Sequence, residues 1–140
     1  MVIIYPVIFT QTHDERDTYL INIPDLKGFT EGYGIEDAYL MARDYIGSLC
    51  FDKEDLEIPK PSNISEIRVE DSVFCKDGDS FVSLVDLDLD AYRRKVNNKA
   101  VRRNVSIPGW LNQAADEANL NVSRILQDAL METLHIEKSN

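Results

Sequence analysis

The sequence predicts an α+β protein in which a β-β-β-α-β domain precedes a strand and two helices. Two observations support this class: the hydrophobic period changes along the chain, and the charge balance changes near residue 90. Residues 1–90 hold 7 basic and 20 acidic side chains, and residues 91–140 hold 8 basic and 5 acidic ones. The net charge of −10 over 140 residues is therefore the sum of −13 in the first segment and +3 in the second. We expect an acidic domain at 1–90, a basic hinge at 91–98 and a second domain at 99–140.

Alternating or β-rich segments predict the strands of the first domain. Val2–Thr10 is rich in Val, Ile, Tyr and Phe, Thr18–Ile23 alternates up to a proline, and Phe29–Tyr33 lies between turn residues. Apolar residues then recur at helical spacing over Ile35–Phe51, which predicts a helix that covers one face of a sheet. Ser80–Leu89 alternates again and predicts the fourth strand.

The last 40 or so residues predict one strand, Lys99–Ile107, followed by two helices. Pro108 suits the start of the first helix, which is expected over Trp110–Ala118. Asn121 or Ser123 can cap the second helix. A segment this short lies near the size limit of about 40 residues below which domains need a metal, a disulfide or oligomerisation. We therefore expect a two-fold homodimer whose strands pair as a ribbon.

Alternation along the predicted strand separates an apolar face from a polar face. Val101, Val105 and Ile107 share the apolar face. A two-stranded ribbon fits the major groove of DNA, where Arg can bind guanine, Asn can bind adenine and Ser can bind either. The candidate DNA-binding residues are Arg102, Asn104 and Ser106, flanked by Lys99 and Arg103, with Ser123 and Arg124 at a helix start that can meet a phosphate. The alternative interpretation is a solvated strand face beside a charged linker.

These features resemble the ribbon-helix-helix family of DNA-binding domains from Lys99 to about Leu134. The resemblance depends on the polar alternating strand that ends at Pro108, the apolar stripe of the first helix and the turn into Val122–Arg124. Asn119 departs from the pattern, because a glycine often closes the first helix there. Asn tolerates the left-handed conformation that this position needs. The resemblance implies a dimer that reads base edges with three alternating strand residues.

Four segments of the first domain also follow a specific order and spacing: Tyr5–Phe9, Tyr19–Thr30, Glu36–Ala38 and Ile58–Pro61. With them, residues 3–62 resemble the antitoxin of the HicA–HicB toxin–antitoxin family. Arg16-Asp17-Thr18 replaces a usual pair of glycines, and Phe29 stands where a cysteine is common. The resemblance implies a partial RNase-H-like fold that neutralises a small basic ribonuclease toxin by covering its active surface. It also implies a complex that binds operator DNA and represses its own operon.

The charge of the first domain fits a basic toxin, because opposite charges steer association. The densest acidic groups are Asp14-Glu15-Asp17 and Asp52-Glu54-Asp55-Glu57, and the alternative for each is a solvated loop. Asp86-Asp88-Asp90 resembles the start of a calcium loop but lacks its sixth-position glycine. Strand alternation explains these three acids better.

Two other function classes remain open. A ribonuclease-like enzyme with a regulatory tail would need carboxylates such as Asp25, Glu31 and Asp44 to converge on a divalent ion. The other class is a transcription factor whose first domain senses a small ligand. No glycine-rich phosphate loop supports this interpretation. We expect a cytoplasmic protein without enzymatic activity, cofactor or membrane segment, in which Cys50 and Cys75 are free thiols.

Overall fold

A computed structural model describes residues 1–137 and divides the chain into two units, Met1–Lys99 and Ala100–Asn140. One antiparallel sheet in the order β3-β2-β1-β4 is formed by β1 (Val2–Gln11), β2 (Thr18–Ile23), β3 (Gly28–Tyr33) and β4 (Asp79–Asp88). Helices α1 (Ile35–Cys50) and α2 (Leu89–Val96) belong to the first unit, and α3 (Gly109–Glu117) and α4 (Val122–Thr133) to the second. The predicted α+β class is therefore confirmed.

The core of the first unit lies between α1 and one face of the sheet. Strand β1 contributes alternate residues, among them Tyr5 and Val7, which are fully buried. Helix α1 meets them with Ala38, Ala42 and Ile46, so the predicted apolar stripe is confirmed at these positions. At Gly32 of β3, an added Cβ would lie 2.6 Å from the Cα of Ala38. Only glycine therefore lets the edge strand approach the helix so closely.

Helix α2 occupies most of the segment that the sequence predicted as a hinge. Leu89 is fully buried in the core, and the ring of Tyr92 packs against Gly47 of α1. Arg93 donates hydrogen bonds to the carbonyl oxygens of Phe51 and Lys53 at 3.1 and 2.7 Å. The first unit therefore continues to Lys99 and does not stop at residue 90.

We expect Arg93→Ala to lower the free energy of unfolding by about 1–3 kcal/mol, because several acceptors of the first unit lose the same guanidinium donor at once. Besides the two carbonyls, it donates to Asp55 at 2.9 Å, and only 27% of its side chain is exposed. Arg94 is exposed on the same helix, so Arg94→Ala is the matched control and should change stability little. Urea denaturation checks both variants; equal losses would contradict an anchoring role for Arg93.

The second unit forms its helices and turn as predicted. The Pro108 carbonyl accepts from the backbone N–H groups of Leu111 and Asn112, and α3 begins directly after this proline. Asn119 adopts the left-handed conformation, with φ at 52°, and closes the first helix. The Asn121 side chain accepts from the Arg124 N–H at 3.0 Å and caps α4.

Residues 98–108 differ from the prediction, because they form neither helix nor strand in the single chain. A strand over Lys99–Ile107 needs a neighbouring edge, since a strand without one leaves its backbone groups unpaired. The prediction assigned that edge to a second copy, and it remains a prediction. Over residues 1–137, no helix combines the length and apolar character that a membrane crossing requires.

Candidate DNA-binding and partner-binding surfaces

The predicted DNA-binding residues are all exposed, and they lie on two elements. The irregular segment before α3 carries Lys99, Arg102, Arg103, Asn104 and Ser106, and the first turn of α4 carries Ser123 and Arg124. Their exposure leaves the side chains accessible to a ligand. The alternation that would align three of them on one face depends on the strand that the single chain does not form.

The start of α4 is ordered and carries a cation. Asn121 satisfies the N–H of Arg124, and the Arg124 side chain lies 3.7 Å from Asp128 one turn later. An exposed pair at this distance contributes little free energy, so it leaves the guanidinium able to turn towards a phosphate. The positive end of the helix dipole favours an anion at the same place.

The second unit has no core of its own. Between residues 100 and 137, no side chain is buried in the single chain. The exposed fraction is 72% for Trp110, 50% for Ile125, 49% for Leu130 and 64% for Leu134. Two short helices with an apolar stripe in water cannot offset the entropy of ordering the chain. This unit therefore needs a partner that covers its apolar side.

The charge contrast between the halves changes once the units are known. Arg93, Arg94 and Lys95 lie on α2 and belong to the first unit, as does Lys99. Residues 1–99 then hold 11 basic and 20 acidic side chains, a net charge of −9, and residues 100–140 hold 4 and 5, a net of −1. Four of the six basic residues between positions 93 and 103 therefore belong to the first unit, and the second unit is not cationic.

The acids that resemble a calcium loop have separate structural roles. The Tyr39 hydroxyl donates to Asp86 at 2.7 Å, and this bond holds the pKa of Asp86 below its usual value. Asp88 caps α2 by accepting from the N–H of Ala91. Asp90 pairs with the amino group of Met1. Each carboxylate thus has its own partner within the first unit.

Two of the three carboxylates named for a nuclease, Asp25 and Asp44, bind other groups of the first unit. Asp25 accepts from the N–H and the hydroxyl of Ser62 at 3.0 and 2.6 Å, and Asp44 accepts from the Tyr92 hydroxyl at 3.2 Å. Among residues 1–137, no three His, Cys, Asp or Glu side chains form a group that could hold a metal ion. The convergence that this alternative requires is therefore not found in the described part of the chain.

The two acidic loops differ in what they offer a partner. In the first loop, Asp14 accepts from Thr18, which lowers the pKa of Asp14, and Asp17 accepts from Gln11. These acids serve the hairpin turn. The second loop presents Leu56, which is 100% exposed, among its acids. Sequence reasoning missed Leu56, because one apolar residue in an irregular loop has no periodic signal.

Together these features define a protein with an acidic, sheet-based unit and a small helical unit that requires a partner. A family model described as the HicB-like antitoxin of bacterial toxin-antitoxin systems matches residues 5–128. The chain therefore belongs to this family, which confirms the resemblance of residues 3–62 to the HicB antitoxin.

Two solved structures are similar over most of the chain. A toxin-antitoxin complex from Streptococcus pneumoniae contains a chain that is 29% identical, with 95% of this chain and 99% of that chain covered and a TM-score of 0.58. The antitoxin HicB of Burkholderia pseudomallei is 22% identical, with 95% and 97% covered and a TM-score of 0.43. No curated protein matches.

Proposed function

We propose that this protein is an antitoxin that neutralises a small basic ribonuclease toxin and, as a homodimer, binds operator DNA to repress its own operon. The family match over residues 5–128 carries the proposal, because it spans both units. The Streptococcus pneumoniae toxin-antitoxin complex supports a toxin as the partner. The chain acts in the cytoplasm by binding, without catalysis or cofactor.

The first unit is the toxin-binding module. Its net charge of −9 opposes the positive charge that a ribonuclease presents to RNA, so it accelerates encounter and disfavours binding of nucleic acid to this unit. An acidic unit placed over the toxin's active surface blocks RNA by occupying the same space. Neutralisation then requires no chemical step.

The second unit is the dimerisation and DNA-binding module, with an expected ribbon-helix-helix architecture. Its exposed apolar stripe includes Ile125 and Leu130, and a second copy of the chain would bury this stripe in a dimer interface. Pairing of residues 99–107 between two copies would satisfy their backbone groups and place Arg102, Asn104 and Ser106 on one face. Such a ribbon fits the major groove, and the dimer sets the half-site spacing.

Arg102→Ala is expected to weaken operator binding by about 1–3 kcal/mol and to relax the preference at one base pair, because Arg can contact guanine bidentately. Lys99→Ala is the matched comparison. It should weaken binding to all DNA sequences alike and reduce the salt dependence. Gel shifts on the operator and on single-base variants check this. Unchanged affinity for Arg102→Ala would contradict the assigned strand face.

A further inference from the structure

Leu56 stands fully exposed at the centre of an ordered turn. The 3₁₀ turn Asp55–Glu57 begins with a reciprocal cap, in which the Glu54 N–H donates to the Glu57 side chain at 3.2 Å. Arg93 of α2 holds the same turn through Asp55 at 2.9 Å. The leucine is thus displayed on a turn that is fixed from both sides, so little conformational entropy is lost if a partner covers it.

An apolar groove of about 470 Å³ runs beside this leucine. Its apolar lining includes Val2, Ile4, Leu56, Ile58, Pro59 and Pro61. The far wall is fixed, because Ile58 reaches the core and the Tyr5 hydroxyl donates to the carbonyl oxygen of Pro59. Val2 and Ile4 are 61% and 44% exposed. The wall formed by Ile58 and Pro59 is therefore held in place by the fold.

Four acids flank Leu56 in the sequence, and Asp55 among them also lines the groove. Asp52, Glu54, Asp55 and Glu57 lie within six residues of one another. Lys53 and Lys60 lie beside them in the sequence and Arg93 pairs with Asp55, so the acids exceed the bases here by one. An apolar centre with a polar rim is the usual arrangement of a protein–protein interface. The acidic rim disfavours nucleic acid and a second acidic copy, because both would bring like charges together. It favours a partner with an apolar side chain among Lys and Arg residues.

We propose that this surface, formed by Leu56, the groove and the four acids, is the docking surface for the basic toxin. The proposal rests on the proposed antitoxin function and adds where the toxin is held. Leu56 enters an apolar pocket of the toxin, and an apolar side chain of the toxin enters the groove. Lys and Arg residues of the toxin meet the acidic rim.

The test compares Leu56→Asp with Val73→Asp in the full-length chain. Val73 is 71% exposed and does not line the groove, so the control adds the same charge at another exposed apolar position. The probe is the purified small basic protein encoded by the adjacent reading frame, titrated by calorimetry. We expect Leu56→Asp to weaken binding at least about 30-fold and Val73→Asp to leave it unchanged. Because Leu56 has no buried contact to lose, the variant should fold normally.

A second pair of variants tests the rim. Asp52→Lys should slow association about tenfold at low salt, whereas Glu15→Lys in the first loop should have a smaller effect. Full binding by Leu56→Asp, with wild-type binding intact, would overturn this docking surface and leave the antitoxin function standing. Absence of binding by the wild type would overturn both. A change in the assembly state of Leu56→Asp alone would assign the surface to a second copy and also overturn the proposal.

Discussion

A fragment of residues 1–99 is expected to fold, bind the toxin as tightly as the full chain and lose operator binding. The reason is that its core is complete without the second unit: the buried residues of the sheet and α1 all lie before residue 90. The fragment lacks Arg102, Asn104 and Ser106, which are proposed to read the bases. Calorimetry with the toxin and a gel shift on the operator measure the two functions separately.

The end point of that fragment matters, and residues 1–88 provide the control. Cutting there removes Leu89 from the core, Tyr92 from its contact with Gly47 and Arg93 from the loop that carries Leu56. Loss of a buried leucine alone costs about 2–5 kcal/mol, so the shorter fragment should be clearly less stable in urea. Equal stability of both fragments would contradict the place of α2 in the first unit. Failure of fragment 1–99 to bind toxin would contradict a toxin-binding module confined to it.

The strands and α1 could be predicted because their periodicity reflects one large buried surface. Val2–Gln11 and Ile35–Cys50 match the predicted elements to within a residue. Helix α2 could not be predicted in this way. It has eight residues, and its anchors lie about forty residues earlier, where Tyr92 meets Gly47 and Arg93 meets the loop after α1. Local composition made a packed helix resemble a charged linker.

The candidate site residues also differ in whether a local sequence pattern could indicate them. Polar alternation sufficed to nominate Arg102 and its neighbours. Their exposure in the single chain does not test the alternation, because Val101, Val105 and Ile107 of the predicted apolar face are exposed as well. The strand that would align them depends on contacts with another copy, and a single chain does not supply these. Leu56 was not nominated, because its proposed role depends on the groove beside it. That groove joins the start of β1 to residues 55–61, which are distant in sequence.

Ile125→Asp is expected to convert the protein to a monomer of 16.0 kDa and to weaken operator binding at least about 100-fold. Ile125 lies on the apolar stripe of α4 and is half-exposed in the single chain, so the charge would be buried only in the dimer. An isolated protomer would contact one half-site and would lose the gain from linking two sites. Sedimentation measures the assembly state, and a gel shift measures operator binding.

Gln127→Asp is the matched control, because it places the same charge in the same helix about 200° around the axis from Ile125. It should sediment like the wild type, so any loss of DNA binding that both variants share comes from charge repulsion alone. Toxin binding should persist in both, since the first unit is unchanged. A dimeric Ile125→Asp would mean that another surface covers the stripe. The exposed leucines and Trp110 would then need a different partner, because nothing within residues 100–137 buries them.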